Sequence, residues 1–499
     1  MSAAGYRAFT ARSDDFVPAG PCRNWIGGEL VGAASGATLE VHNPRHGQAM
    51  GTVPDSGAVD VEVAVAAAKA AFPGWSATPY KDRAQVLYRL KGLMERDLEA
   101  LSWLVSHENG KTFGESKASV LKGIECLEYG CSLPNMSAGG QLDVSRGVSC
   151  RVSYEPLGVV AGIVPFNFPV MVPMWMLPQM LVAGNTVVMK PSEQVPYGLL
   201  ALAMLAREAG LPDGVLNLVN GRKATVEALV DHPDVKAVGF VGSTAVAELL
   251  YARGAALGKR MLCLGGAKNH LVVVPDADLE LTAQNVVGSA FGCAGQRCMA
   301  ASVLLAVGDT ERHVQAIAAE ARAVLVGRDI GAIITPAAVD RITGYIDRAE
   351  QMGARVLVDG RGARVGDGGW WVGPTVLDGC GADWPATCDE IFGPVLSIVR
   401  VATLDEALRI ENANPYGNAA SIYTTSGAVA EYAVSRFEAG MVAVNVGVPV
   451  PREPFPFGGW NRSKFGHGDM TGMDGFRFWT RPRKVTTKWA LQPDQSWMS

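Results

Sequence analysis

The sequence contains no CxxC pair, no block of basic residues, no internal repeat and no low-complexity linker. Its nine cysteines are Cys22, Cys126, Cys131, Cys150, Cys263, Cys293, Cys298, Cys380 and Cys388. Spread over 499 residues, they form neither a disulfide framework nor a structural zinc pattern. We expect a reducing, cytoplasmic setting and no metal. Lys and Arg total 44 against 49 Asp and Glu, a net charge of -5. The RPRK string from Arg481 to Lys484 is too short to mark a nucleic-acid partner.

A long charge-free run is present but does not read as a membrane span. Pro156 to Met189 carries no charged residue, yet Pro165, Pro169, Pro173 and Pro178 would break a continuous helix. Asn167, Gln179 and Asn185 within it also need hydrogen-bond partners. The expectation is strand, loop, short helix and strand, all buried. The opening MSAAGYRAFTARSDDF lacks the apolar core of a secretory signal. Its small residues and arginines have a transit-peptide flavour, against which Asp14 and Asp15 count. A disordered or loosely docked start is expected.

With 48% hydrophobic and 19% charged residues, the chain can bury a large core, and its length implies two or three domains. Asp60 to Trp75 has apolar residues at helical spacing and a stop signal at Pro73-Gly74. Lys81 to Lys111 predicts two helices, the first with Val86, Leu87, Leu90, Leu93 and Met94 on one face. The runs VVAGIV, TVVMK, GVLNLV, AVGFVG and HLVVV then alternate with helical stretches, which implies a parallel α/β sheet covered on both faces. A second α/β section follows Cys298, with strand candidates ASVLLAV, RVLVDG, LSIVRV, AASIYT and MVAVNV. The ending RFWTRPRKVTTKWALQ reads as an extended segment that adds a strand to another sheet or to a neighbouring subunit.

The chemistry concentrates in FGCAGQRCMA, Phe291 to Ala300. A nucleophilic cysteine needs a lowered pKa or a base, partial access, and donors for the charge its attack creates. Cys298 follows Arg297, a cation that can bind an anion or favour a thiolate. Cys293 lies in a small-residue run suited to packing or a turn, and most cysteines are buried and inert.

Seven stretches occur in order: GIVPFNFP, GNTVVMKPSE, VGFVGST, LGGAKNH, GQRC, DEIFGPV and FPFGGWNRSKFG. Together they resemble the aldehyde dehydrogenase superfamily over nearly the whole chain. The resemblance implies an α/β, three-domain fold: a Rossmann-like NAD-binding domain (20–132 and 153–263), an α/β catalytic domain (264–460), and a small β oligomerisation domain (133–152 and 478–495). It implies Cys298 as nucleophile and Asn167 as the oxyanion-hole amide. Phe166, Lys190, Glu193, Gly242, Ser243, Glu390 and Phe392 match cofactor-binding positions. A Glu193 carboxylate can accept from both ribose hydroxyls and would repel a 2′-phosphate, which favours NAD over NADP. The usual closing glycine of the pyrophosphate loop is Ala247 here.

Hydrolytic members of that superfamily carry a glutamate where this sequence has Cys263, in MLCLGGAKNH. A thiol there does not replace a carboxylate base for water. The acyl group then needs another acceptor, and coenzyme A has a thiol that is far more nucleophilic than water once ionised. GGAKNH, PFNFPVMVPMW and FWTRPRKVTTKW resemble the CoA-acylating methylmalonate/malonate-semialdehyde branch. That resemblance implies a small-molecule semialdehyde as substrate, with Arg297 on its carboxylate. Lys122, in KGIE, stands where a second arginine is usual; it is either a substrate contact or a solvated helix residue. A lysine there keeps the charge and loses the two-point grip. A homotetramer or homodimer is expected, with no nucleic-acid or membrane partner. The rival readings are a dehydrogenase that releases free acid and a catalytically silent dinucleotide-binding protein.

Overall fold

The computed structural model describes residues 15–136 and 139–489. The expectation for the first residues therefore falls mostly outside the described chain, as do residues 490–495 of the expected tail segment. Among the described residues there are two large sheets, a three-stranded sheet and two two-stranded pairs. The first sheet has eight strands in the spatial order Glu29–Val31, Asn24–Ile26, Leu216–Leu218, Thr186–Lys190, Val159–Ile163, Val235–Val241, Arg260–Leu264 and Lys464–Phe465. Its five central strands are parallel, and its edges at Trp25 and Phe465 are antiparallel. Val159–Ile163 and Thr186–Lys190 are buried at every position, as expected for parallel strands covered by helices on both faces.

The second sheet orders Arg355–Val358, Thr375–Asp378, Val395–Val401, Ala301–Val307, Asn269–Val273, Ala419–Tyr423 and Met441–Val444. All pairs are parallel except the first. The HLVVV run, which the sequence pattern groups with the first section, lies at the centre of this second sheet. The chain crosses between the sheets over Gly265 to Lys268. A three-stranded antiparallel sheet joins Gly140–Ser145, Val148–Pro156 and Thr480–Lys488. The extended tail thus pairs within its own chain. Asn185 Nδ2 donates to Trp479 O at 2.9 Å and ties the root of that tail to the first sheet.

The charge-free run folds as strand, loop, helix Met171–Val182 and strand, all in the core. Among the described residues no helix is long and apolar enough to cross a membrane. The first long helix, Ala58–Ala77, continues past the expected stop at Pro73. Pro73 lies inside the helix and removes one of its backbone bonds, and buried Trp75 holds the turn beyond it by donating Nε1 to Leu181 O at 3.1 Å. The Tyr80–Arg96 and Leu98–Asn109 helices match the two expected, with Val86, Leu87, Leu90 and Met94 buried on one face.

Candidate active site

A cavity of about 580 Å³ opens between the two large sheets. On one side lie the carboxyl ends of parallel strands of the first sheet. Phe166 and Asn167 follow Val159–Ile163, Lys190 ends Thr186–Lys190, and Gly242 and Ser243 follow Val235–Val241. Facing them are the segments that lead into strands of the second sheet. Cys298 precedes Ala301–Val307, and Glu390 and Phe392 precede Val395–Val401. All eight of these residues, and Glu193 with them, line the one cavity; Arg297 and Lys122 do not join them.

Cys298 is carried by a strained segment. Helix Leu279–Phe291 ends in a tight turn, Gly292–Gly295, in which Cys293 (φ 55°), Ala294 (φ 52°) and Gly295 (φ 68°) all adopt the left-handed region. A non-glycine residue there costs about 1–2 kcal/mol. Gly295 is also required by space, because an added Cβ would lie 2.1 Å from Gly393 O. Tertiary bonds hold the segment in this shape. Gln296 donates Nε2 to Ala332 O at 3.1 Å and accepts from Ile334 N at 3.1 Å. The Cys298 carbonyl accepts from Asn269 Nδ2 at 2.7 Å and Asn418 Nδ2 at 2.9 Å.

Asn167 is buried and donates Nδ2 to Gln296 O at 3.1 Å. That bond joins a loop of the first sheet to the cysteine segment of the second. Cys298 is part-exposed at the cavity surface but surrounded by protein. Burial pushes its thiol up to about 12, with the Glu390 carboxylate adding to the rise. Arg297 and the backbone N–H groups of Cys298 and Met299 oppose it.

On the other side, Lys190 Nζ donates to Glu193 Oε2 at 3.2 Å, and burial lowers the lysine pKa while Glu193 opposes the fall. Ser243 caps helix Thr244–Ala256 without a side-chain bond, so the amide-rich helix start faces the cavity. Gly242 leaves room for the Phe240 ring, which an added Cβ would meet at 2.5 Å. Ala247, where a glycine is usual, points into an apolar core cluster and does not line the cavity. Glu390 Oε1 accepts from Ala267 N at 2.9 Å, and burial raises the carboxyl pKa. Phe166 and Phe392 meet edge to face at 5.8 Å, with Phe392 at φ 54°.

Arg297 folds back onto its own helix and donates Nη2 to the Gly288 and Ser289 carbonyls. Gly292 gives it room: a Cβ there would lie 2.5 Å from the guanidinium. These acceptors are neutral, so the charge remains beside Cys298. Lys122 is paired with Glu453 at 2.8 Å and Glu125 at 3.3 Å, on a face of its helix that also carries Cys126. Cys263 is fully buried in the apolar cluster of the first sheet, and burial pushes its thiol up to about 12.

Sequence reasoning passed over Gln296, Asn269 and Asn418, the residues that brace Cys298. It also passed over Asn109 and Lys111 beneath Asn167. Asn109 Nδ2 donates to Phe166 O at 2.8 Å, and Lys111 Nζ donates to Asn167 O. One signal was available: the string HENGK runs from the last turn of helix Leu98–Asn109 past its glycine cap, and every residue of it except glycine is a polar or charged side chain needing a partner.

The aldehyde dehydrogenase family profile matches residues 31–485. A malonate-semialdehyde dehydrogenase of Geobacillus kaustophilus is 45% identical over 476 residues, covering 94% of this chain and 98% of its own. One from Pseudomonas aeruginosa is 43% identical over 484 residues, covering 94% and 97%. Among solved structures, the methylmalonate-semialdehyde dehydrogenase of Oceanimonas doudoroffii superimposes with a TM-score of 0.93 at 41% identity, covering 96% of this chain and 99% of its own. A candidate methylmalonate-semialdehyde dehydrogenase of Sinorhizobium meliloti, complexed with NAD, gives 0.93 at 38% identity, covering 95% and 99%. The strand order, the ring of motif residues around one cavity and these likenesses agree, and the chain belongs to the aldehyde dehydrogenase family.

Proposed function

We propose that this chain oxidises malonate or methylmalonate semialdehyde with NAD and transfers the acyl group from Cys298 to coenzyme A, giving acetyl-CoA or propionyl-CoA with CO2. The observation that carries the reading is the meeting of Cys298 and Asn167 in one cavity while position 263 holds a buried thiol. The names of the relatives support the substrate class.

The donor set fits NAD. The uncapped start of helix Thr244–Ala256 suits a diphosphate, and Gly242 keeps the backbone there close to the cavity. The Lys190–Glu193 pair suits ribose hydroxyls. Phe166, Glu390 and Phe392 lie toward Cys298 and suit the nicotinamide end. NAD, when bound, supplies the hydride acceptor that turns the cysteine adduct into a thioester.

The chain's own residues account for the other steps. The Cys298 thiolate adds to the aldehyde carbon. Asn167 Nδ2 has one N–H on Gln296 O, and its second N–H is available to the oxyanion together with the Cys298 backbone N–H. Arg297 keeps positive charge beside the thiol and favours the thiolate. After acylation, the bond between the substrate carboxylate and its neighbouring carbon breaks to release CO2 and that carbon takes up a proton; Cys263 supplies no base for water, and the CoA thiolate then displaces Cys298 from the acyl carbon.

One observation favours a second reading. Glu390 lines the same cavity with a raised pKa, which is the state of a general base for hydrolysis to free acid. Following NADH with and without CoA separates the two, with the product identified as thioester or acid. Rapid turnover to free carboxylate without CoA sinks the acyl-transfer reading.

We assign 20–132 and 153–263 to cofactor binding, 264–460 to catalysis, and 133–152 with 478–495 to assembly of a homotetramer or homodimer. The exposed strands Gly140–Ser145 and Thr480–Lys488 support the last assignment, and light scattering tests it. Nine free thiols support a cytoplasmic setting.

A further inference from the structure

Lys111 is a buried cation that the reaction scheme above does not use. It is 3% exposed, at the junction between helices Leu98–Asn109 and Phe113–Met136. Its ammonium donates to Asn167 O and to Asn109 Oδ1 at 2.9 Å, and it sits 4.2 Å from the centre of the Phe168 ring. Asn109 in turn donates to Phe166 O at 2.8 Å. The carbonyls of the two residues that lead into the cavity are therefore both held by one short stretch of chain.

That stretch also reaches the opposite wall. Gly110 O accepts from Ala332 N at 2.8 Å. Ala332 O accepts from Gln296 Nε2 at 3.1 Å, and Gln296 O accepts from Asn167 Nδ2 at 3.1 Å. Glu115, four residues after Lys111, accepts from Cys293 N. The result is a closed ring: Lys111, Asn167, Gln296, Ala332, Gly110 and back to Lys111. It clamps the Asn167 loop of the first sheet to the Cys298 segment of the second.

A methionine would fill this space without desolvating a charge. Burying an ammonium costs several kcal/mol before its hydrogen bonds compensate, so simple packing does not account for a lysine here. Its geometry does: the ammonium supplies directed bonds to the Asn167 peptide and to the side chain that holds the Phe166 peptide. Burial lowers the Lys111 pKa and nearby Arg297 adds to the fall, while the Glu115 carboxylate favours the ammonium.

We infer that Lys111 is a positioning residue for acylation: its bond to the Asn167 carbonyl sets the peptide plane from which the Asn167 amide is presented to the aldehyde oxygen. This rests on the reading of Asn167 as the oxyanion donor.

The test is a double-mutant cycle on the single-turnover burst of NADH, run with aldehyde and NAD but without CoA, so that the identity of the acyl acceptor does not enter. Lys111→Met is expected to slow the burst about 10–100-fold, the scale of a misplacement near 1 Å. The affinity for NAD, read by protein fluorescence, is expected to stay at the wild-type value. In an Asn167→Ala background, Lys111→Met is expected to add no more than about a twofold loss, because the group it positions is gone. Equal fold-losses in both backgrounds, or a matching loss of NAD affinity, overturn the inference alone. A wild-type burst in Asn167→Ala overturns the reading of Asn167 and this inference with it. Circular dichroism reports folding. If Lys111→Met does not fold, Asn109→Ala carries the same cycle, since it removes the Phe166 bond and one acceptor of the ammonium; the same additivity overturns the proposal.

Discussion

The two walls of the cavity are built differently. The first-sheet wall follows the ordinary logic of parallel α/β sheets. Lys190, Gly242 and Ser243 lie at carboxyl ends of strands, where an uncapped helix start faces outward. Its groups are placed by regular elements and need little else. The second-sheet wall lies at the amino ends of strands and includes left-handed Cys293, Ala294 and Phe392. It is held by side-chain amides, with Asn269 and Asn418 on the Cys298 carbonyl and Gln296 on the 332–334 segment. On the proposed function, the difference teaches that binding a diphosphate asks for dipoles at an open strand end, whereas aiming a nucleophile asks for a shape the backbone does not adopt unaided.

The largest expected effect isolates the second wall. Cys298→Ala should lower aldehyde oxidation by roughly 10⁴-fold or more while leaving NAD affinity unchanged. Oxidation that persists in the variant would break the comparison at its root. Next is Gly295→Ala, which forces a Cβ against Gly393 O in a left-handed turn. We expect a stability loss of about 1–3 kcal/mol in chemical denaturation and a fall in kcat larger than any change in KM for NAD. Gly242→Ala, on the first wall, should show the reverse split in steady-state kinetics, because its Cβ meets the Phe240 ring beside the helix start.

The pH dependence sharpens the picture of the thiol. Burial favours the neutral form of Cys298, so the thiolate is scarce at neutral pH and grows as pH rises toward about 12. Alkylation of Cys298 by iodoacetamide, followed by intact mass, should speed up about tenfold per pH unit between neutral and moderately alkaline conditions. A rate that levels off near neutrality would show a thiolate already formed. The smallest effect concerns Lys122. Glu453→Gln removes the carboxylate 2.8 Å from its ammonium. We expect a few-fold rise in kcat/KM for a carboxylate-bearing aldehyde relative to an uncharged aldehyde of equal length, absent in a Lys122→Met background. An equal change for both aldehydes would place Lys122 outside substrate recognition.

Much of the first wall was legible in the sequence. Short Val-rich runs and helical periodicity depend on local chain geometry, and the strands Val159–Ile163, Thr186–Lys190 and Val235–Val241 fall where those runs do. The helix stop at Pro73 misled because tertiary packing overrides the local break: Trp75 is buried beyond it and donates to Leu181 O. The strands Arg260–Leu264 and Thr375–Asp378 were passed over, the first because RMLCL holds no β-branched residue and the second because it has only four residues. Lys111 and Asn109 look like an ordinary polar helix end until Phe166 and Asn167 are laid against them.

Local pattern alone therefore determined which runs became buried strands, which thiol follows a cation, and that a cysteine rather than a carboxylate occupies position 263. Tertiary structure decided that strand carboxyl ends of one sheet face strand amino ends of the other. It also decided that Arg297 turns back to Gly288 and Ser289 and that Lys122 meets Glu453, 331 residues away along the chain. Periodicity is written by neighbours within a few residues, whereas an ion pair or a clamp across that distance exists only after the core between its ends has closed.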